Sequence, residues 1–316
     1  MKIAQLAVVF PSRRVTNEEV LDEIRALSKQ FVGNLEPVLR RLRIGLARSG
    51  IQTRRWCAPD ETSLALTLRA CRKALAGLSV GEKPDLVICA SVYPELIEPS
   101  TANLLAHELA LDDVECFDLK EACDGWMKAM KVAQALIETG TYKCIMVVNP
   151  EFSMTAGFAI YPNLYDLRFP EQLEYRFPAF TIGEAAAVTI VVPDETSPWK
   201  FTNVTRNDLY DLCTVTPSWY GAHPVPSSRV AKDGAGGFTS YGADLYKHGF
   251  PLSLETFRRS GIKVDEVDAF FTHSSSKKDW TEVAQTLGLT GVFHDVYGEY
   301  GNVVSAAVPT AMALAL

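Results

Sequence analysis

Short apolar runs alternate with amphipathic helical segments along almost the whole chain, and this alternation most restricts what the chain can fold into. A brief apolar run bounded by turn residues is buried as a strand covered on both faces, and helices between such runs build an α/β protein. Residues 3–9 read as a strand, and Asn17 opens a helix with Glu18 and Glu19 in its first turn. Residues 62–76 repeat apolar positions at helical spacing and stop at Gly77, while 85–91 reads as a buried parallel strand. A helix over 99–110, a strand over 114–119, a helix over 124–138 ending at Gly140 and a buried strand over 144–149 follow. The order then returns: a helix over 244–260 stopped by Gly261, a buried strand over 267–273, a helix over 277–287, and a small apolar helix between Asn302 and Leu316.

Segments 74–91 and 256–273 share one pattern of helix end, glycine, spacer, acidic residue and apolar strand, which predicts an internal duplication. The predicted halves are 1–195 and 196–316. The duplication would bring the helix start after Cys123 and the helix start after Asn302 to one pseudo-symmetric interface. Between the halves, residues 150–185 are irregular and rich in aromatics, among them Phe152, Phe158, Tyr161, Tyr165, Phe169, Tyr175, Phe177 and Phe180. So long a connection is a functional loop or interface arm, or else a cap that packs on the core.

The bulk numbers exclude several classes. A formal net charge of -7 and a pI near 5.4 argue against general binding to nucleic acid or anionic membranes. The first ten residues hold too short an apolar run for a signal peptide, and nothing approaches the roughly 18 apolar residues of a spanning helix. A cytoplasmic protein is the expectation. The seven cysteines are odd in number and form no CxxC, so neither a disulfide framework nor a metal site is predicted, and six of them read as small core residues.

Cys123 has a different setting. It follows the strand over 114–119 and sits where a helix should begin, where unpaired backbone N–H groups carry partial positive charge. That position predicts a lowered thiol pKa and an available nucleophile, with Gly125 permitting close approach. Glu121 and Asp124 oppose deprotonation. His273 ends an apolar strand, the place where open α/β sheets hold ligands. His107, His223, His248 and His294 lack that context and read as buried, hydrogen-bonded histidines. Asn302 lies in a glycine-rich loop entering an apolar helix, where it could simply be an N-cap. Only its combination with Cys123 and His273 suggests more.

Taken together, these segments resemble the ketoacyl-acyl-carrier-protein synthase III branch of the thiolase superfamily over nearly the whole chain. SGIQTRRW (49–56) is similar to the family's Gly-Ile-x-x-Arg segment and PSTANLLAHELAL (99–111) to its Pro-Ser-Thr-Ala helix. FDLKEACDGW (117–126) is similar to the nucleophile segment, THSSS (272–276) to the histidine segment and YGNVVSAAVP (300–309) to the asparagine segment. The resemblance implies a thiolase-like fold, two α/β halves stacked as five layers (αβαβα), and an acyltransferase. In that role Cys123 would carry an acyl group taken from a thioester. His273 and Asn302 would bind the carbonyl of a malonyl-type extender and stabilise the enolate left when CO2 departs. No resident cofactor is implied; the substrates would be acyl-carrier or coenzyme A thioesters, and the assembly a homodimer.

Arg40, Arg41, Arg43, Arg48, Arg54 and Arg55 lie in residues 37–59 with no acidic residue among them, a basic patch suited to phosphates or an acidic carrier. A solvated helix face would account for about half of these arginines. Arg48 and Lys278 match the family's basic positions. Four departures follow. Ser276 replaces an amide in the histidine segment, Ile44 stands where an aromatic would stack on adenine, and the glycine-rich Gly-Asp-Gly-Ala-Gly reads Gly183-Glu184-Ala185-Ala186-Ala187. The last strand pair and its glycine-rich loop do not appear before Leu316, so the chain is expected to be truncated and the oxyanion support of acyl-Cys123 incomplete. Ile44 favours a carrier protein over free coenzyme A. Ser276 and the aromatic segment point to polyketide or other secondary metabolism. Alternatives are acyl transfer to oxygen or nitrogen without condensation, a non-catalytic partner subunit, and a Cys-His-Asn hydrolase, whose surrounding segments are not matched here.

Overall fold

The computed structural model describes all residues except 80, 156–157, 197 and 221–226; His223 therefore lies outside the described residues. In chain order the first half contains β1 (Lys2–Val9), β2 (Arg13–Thr16), α1 (Asn17–Leu27), α2 (Glu36–Ser49), β3 (Thr53–Trp56), α3 (Ser63–Leu75) and β4 (Leu86–Ala90). It continues with α4 (Thr101–Glu108), β5 (Glu115–Leu119), α5 (Gly125–Glu138), β6 (Ile145–Glu151), α6 (Leu173–Arg176) and β7 (Ala185–Val192). The second half contains β8 (Cys213–Val215), β9 (Phe238–Ser240), α7 (Gly242–Ser260), β10 (Phe270–Phe271), α8 (Lys277–Leu287), β11 (Phe293–His294), α9 (Tyr297–Tyr300) and α10 (Ala307–Ala315).

The central sheet has the order β1-β7-β6-β4-β5. β4 runs parallel to both β5 and β6, while β7 is antiparallel to β6 and β1. Every residue of β4 and β6 is buried, as the apolar runs 86–90 and 145–148 require of strands covered on both faces. One face packs Val87, Met146, Val148, Val188 and Ile190 against Leu66, Cys71 and Leu105 of α3 and α4. The other packs Leu86, Ile88, Ile145 and Val147 against Trp126, Met130 and Ala133 of α5. α10 lies on this second side, touching β1 and β7, and also meets β10 of the second sheet. Helix, sheet, helix, sheet therefore succeed one another as the layered expectation requires.

The second sheet is slighter than the sequence suggested. The strand foreseen over 267–273 is confined to Phe270–Phe271, half-buried and paired in parallel with β11. Continuous hydrophobicity signalled burial against neighbours, but among the described residues β11 is its only strand partner. The aromatic segment between the halves is largely a cap. Leu164, Tyr165, Leu167, Leu173 and Phe180 join Leu21, Ile24, Leu39, Leu42 and Leu46 of α1 and α2 in one apolar cluster. Arg176 and Asp233 form a buried ion pair at 2.6 Å that ties this cap to the loop before β9.

Candidate active site

A cavity of about 2860 Å³ opens between the halves. Cys123, His273, Asn302, Arg48, Ser276 and Lys278 all line it, so residues as far apart as 48 and 302 converge on one space. Its apolar wall includes Phe158 and Phe177 from the cap and Val215, Trp219, Leu245 and Phe250 from the second half. Among the described residues no group of three or more His, Cys, Asp or Glu is placed to hold a metal ion.

The chain leaves β5 and makes a single 3-10 turn, Ala122–Asp124, before α5 begins at Gly125. Ala122 takes a φ of 46°, a left-handed conformation that an alanine adopts at a cost and that makes the corner sharp. Val304, two residues beyond Asn302, is also left-handed at φ 50°, rarer still for a β-branched residue. The two strained corners meet. A Cβ added to Gly125 would lie 3.3 Å from Ser305 Cβ, so the start of α5 and the turn after Asn302 pack directly together. This is the interface that the duplicated pattern predicted.

Cys123 is accessible to the cavity, yet protein surrounds it on every other side. Burial pushes its thiol well above the ordinary value, and Cys213 and Glu151, when ionised, add to the rise. The expected lowering of the thiol pKa is thus reversed. The helix start is present, but low dielectric and acidic neighbours outweigh its partial positive charge. Cys213 and Glu151 are groups the sequence reading passed over. Cys213, counted among the core cysteines, lines the cavity. Glu151 closes a buried strand at its carboxyl end, the same signal that singled out His273.

His273 is held neutral, its pKa pushed down to about 4 by burial, against a backbone hydrogen bond to Val304 that raises it. Its Nδ1 is buried with no partner among the described residues. Asn302 is not the N-cap of α10, which begins after Ala306 with no side-chain cap. Instead the Asn302 side-chain oxygen accepts from the Val304 N–H at 3.0 Å. The Asn302 amide NH2 makes no hydrogen bond to any described residue. The backbone of Asn302 is clamped: its N–H donates to Thr181 O and its carbonyl accepts from Gly183 N–H, both at 2.9 Å. Ser274 beside His273 accepts from Val303 N–H at 3.1 Å, linking the two segments.

The other expected contacts divide. Arg40, Arg41 and Arg48 line the cavity with Ile44. Arg43 instead pairs with Glu18 at 2.7 Å, Arg54 is fully buried and donates to Asn17 and Phe180 O, and Arg55 donates to Ser12 O. Half of the basic patch therefore belongs to the cavity. Ser276 lines it, but its hydroxyl oxygen caps α8 by accepting from Asp279 N–H at 3.3 Å. His107 is exposed, contrary to the expectation of a buried histidine, because it lies on the outer face of the last turn of α4. His248 and His294 are half-buried, and His294 stacks on Phe271 at 5.0 Å.

Residues 117–156 match the family described as 3-oxoacyl-acyl-carrier-protein (ACP) synthase III, a stretch that contains Cys123. A beta-ketoacyl-acyl-carrier-protein synthase III of Symbiobacterium thermophilum is 27% identical over 99% of this chain and 88% of its own length. Another of that name, from Aliarcobacter butzleri, is 28% identical over 84% of this chain and 78% of its own. Among solved structures, a cysteine-to-serine variant of Xanthomonas campestris OleA, with bound lauric acid and lauroyl-CoA, superposes with a TM-score of 0.80. That alignment covers 99% of this chain and 89% of OleA at 23% identity, and it establishes a thiolase-like fold.

Proposed function

We propose, for this condensing enzyme of the ketoacyl-acyl-carrier-protein synthase III-like branch of the thiolase superfamily, that Cys123 is the acyl-carrying nucleophile of a decarboxylative Claisen condensation. The observation that carries the reading is the convergence of Cys123, His273 and Asn302 on one cavity. The Cys123 sulfur attacks the carbonyl carbon of an acyl thioester. A new C–S bond forms, the carrier's C–S bond breaks, and the thiol proton ends on the departing carrier thiol. A malonyl-type thioester then occupies the emptied half of the cavity. Neutral His273 and the free amide NH2 of Asn302 are the donors for its thioester carbonyl, adding no negative charge beside the forming enolate. Loss of CO2 leaves an enolate whose carbon attacks the acyl group. Cys123 departs as the leaving group, and a β-keto thioester results.

Arg40, Arg41, Arg48 and Lys278 suit an acidic carrier protein or coenzyme A phosphates at the cavity mouth. The exposed Ile44 offers no aromatic face for an adenine, which favours the carrier. The relatives' names concern acyl-carrier proteins and, for OleA, lauroyl-CoA, which agrees with thioester substrates. Polyketide or other secondary metabolism, a homodimer and the two-half division at residue 195 belong to the same reading. The test is intact-mass analysis after incubation with acyl-carrier and malonyl-carrier thioesters. An acyl adduct on wild type that is absent in Cys123→Ala, with CO2 release that requires Asn302, is the expected result. An adduct persisting in Cys123→Ala would sink the nucleophile assignment, and CO2 release indifferent to Asn302 would leave only simple acyl transfer.

A further inference from the structure

Glu151 is 1% exposed at the end of β6 and has no cationic partner within 4 Å among the described residues. Its Oε2 has no hydrogen-bond partner there either. Its Oε1 meets the hydroxyl of Ser305. That hydroxyl also accepts from Asn149 Nδ2 at 3.0 Å and lies 3.2 Å from Ala90 O. A hydroxyl has a single proton. If Glu151 were a carboxylate, the Ser305 proton would have to serve it, and Oε2 would remain a buried charged oxygen without a hydrogen bond, helped only by the nearby backbone N–H groups of Ser305 and Val92. If Glu151 is protonated, it donates to Ser305, Ser305 donates to Ala90 O, and the orphan Oε2 is only a neutral carbonyl oxygen. An unpaired buried charge is far costlier than an unpaired neutral acceptor, so the second arrangement wins.

We propose that Glu151 is a proton-holding positioning residue beneath the nucleophile: neutral, it bonds Ser305 and fastens the turn after Asn302 to the turn of Cys123, and ionised, it opposes a thiolate at Cys123. Ser305 is the residue that packs against the start of α5, so the carboxyl group stands directly under the corner that presents the thiol. Burial raises the Glu151 pKa to about 8, while Ser305 and the Val92 backbone restrain the rise. The titratable groups facing it are Cys89 and Tyr93 from β4 and the loop after it, and Cys123 from the turn before α5. Cys123 in turn also faces Cys213 and Asp124. The two acids cannot both be charged without mutual cost, so ionisation of Glu151 holds the proton on Cys123 to higher pH.

The inference rests on Cys123 as the nucleophile, but it can be tested without any thioester. The rate of iodoacetamide alkylation at Cys123, read by peptide mass, is followed from pH 6 to pH 10 for wild type, Glu151→Gln and Ser305→Ala. In wild type the rise with pH flattens above about pH 8, where Glu151 ionises, and in Glu151→Gln it does not. The variant-to-wild-type ratio is near one at pH 6.5 and reaches about tenfold at pH 10, the effect of one pKa unit. Ser305→Ala keeps the carboxyl group but removes the hydroxyl whose proton favours the carboxylate more than it favours the neutral acid, so the flattening moves to higher pH, a readout that stands even if Glu151→Gln folds poorly. Parallel profiles for wild type and Glu151→Gln, or an unmoved bend in Ser305→Ala, would overturn the proposal. Normal alkylation with no acyl loading would instead refute the nucleophile's function and leave the coupling intact.

Discussion

Gly183→Ala isolates the seat of Asn302 from the rest of the site. Gly183 donates its N–H to Asn302 O, and Ile182 and Asn302 form a parallel bridge. A Cβ built on Gly183 would stand 1.9 Å from Tyr300 O and 3.4 Å from Arg54 Cβ. Contacts much below about 3 Å are not tolerated between such atoms, so one chain must retreat by about 1 Å. Arg54 is fully buried, and Tyr300 O belongs to the stretch that carries Asn302, which leaves the Tyr300–Asn302 segment as the part that yields. A displacement of that size at the donor proposed for Asn302 costs about a hundredfold in rate, and the overpacking costs about 1–3 kcal/mol of stability. Acyl loading on Cys123 should persist, while CO2 release and condensation fall by about two orders of magnitude. Gly291→Ala, where nothing lies within 4 Å of the added methyl, serves as control. Condensation within twofold of wild type in a folded Gly183→Ala protein would refute the clamp.

Three further outcomes follow from single features. Arg176→Met strands Asp233, whose carboxylate also accepts from Tyr175 and Gln172, and breaking so buried a pair should cost about 3–5 kcal/mol in urea unfolding. Asp233→Asn in the same chain should recover part of that loss. His273 is neutral in the native state down to about pH 4, whereas the unfolded chain protonates it near 6.5. Its contribution is therefore complete above pH 6.5 and is lost as pH falls toward 4, up to about 3 kcal/mol, and His273→Gln should flatten that part of the stability profile. Arg48→Glu at the cavity mouth should raise KM for a carrier-bound thioester several-fold, with kcat little changed, and the difference should shrink as salt rises.

Much of this architecture is legible in residue order because local rules and global fold agree. Gly261 and Gly288 end α7 and α8 with left-handed φ values, Thr16 and Ser276 cap the starts of α1 and α8, and the apolar runs of β4 and β6 are buried as they demand. What fails locally depends on distant neighbours. The run Ala269-Phe270-Phe271 is as apolar as a strand should be, but pairing is a property of the partner, and β11 supplies only two residues. The Cys123 thiol departs from the local expectation for the same reason. Its helix start lies in the adjacent sequence, while Glu151 and Cys213 reach it from two other strands. The arginines of residues 37–59 look alike in sequence, and only the α2 face and the β2–β3 pairing decide which meet the cavity and which are buried.

The left-handed Ala122 and Val304 have an implication for how such a chain can change. Each stores about 1–2 kcal/mol in backbone conformation, so replacement by glycine at either corner would relax the chain locally. A population selected only for heat resistance would drift toward such replacements, since nothing in thermal survival rewards an alanine or a valine held at positive φ. The corners would then loosen, and the thiol and the amide would no longer be presented at fixed angles. The strain at both corners therefore serves the fixed presentation of the thiol and the amide rather than the stability of the chain.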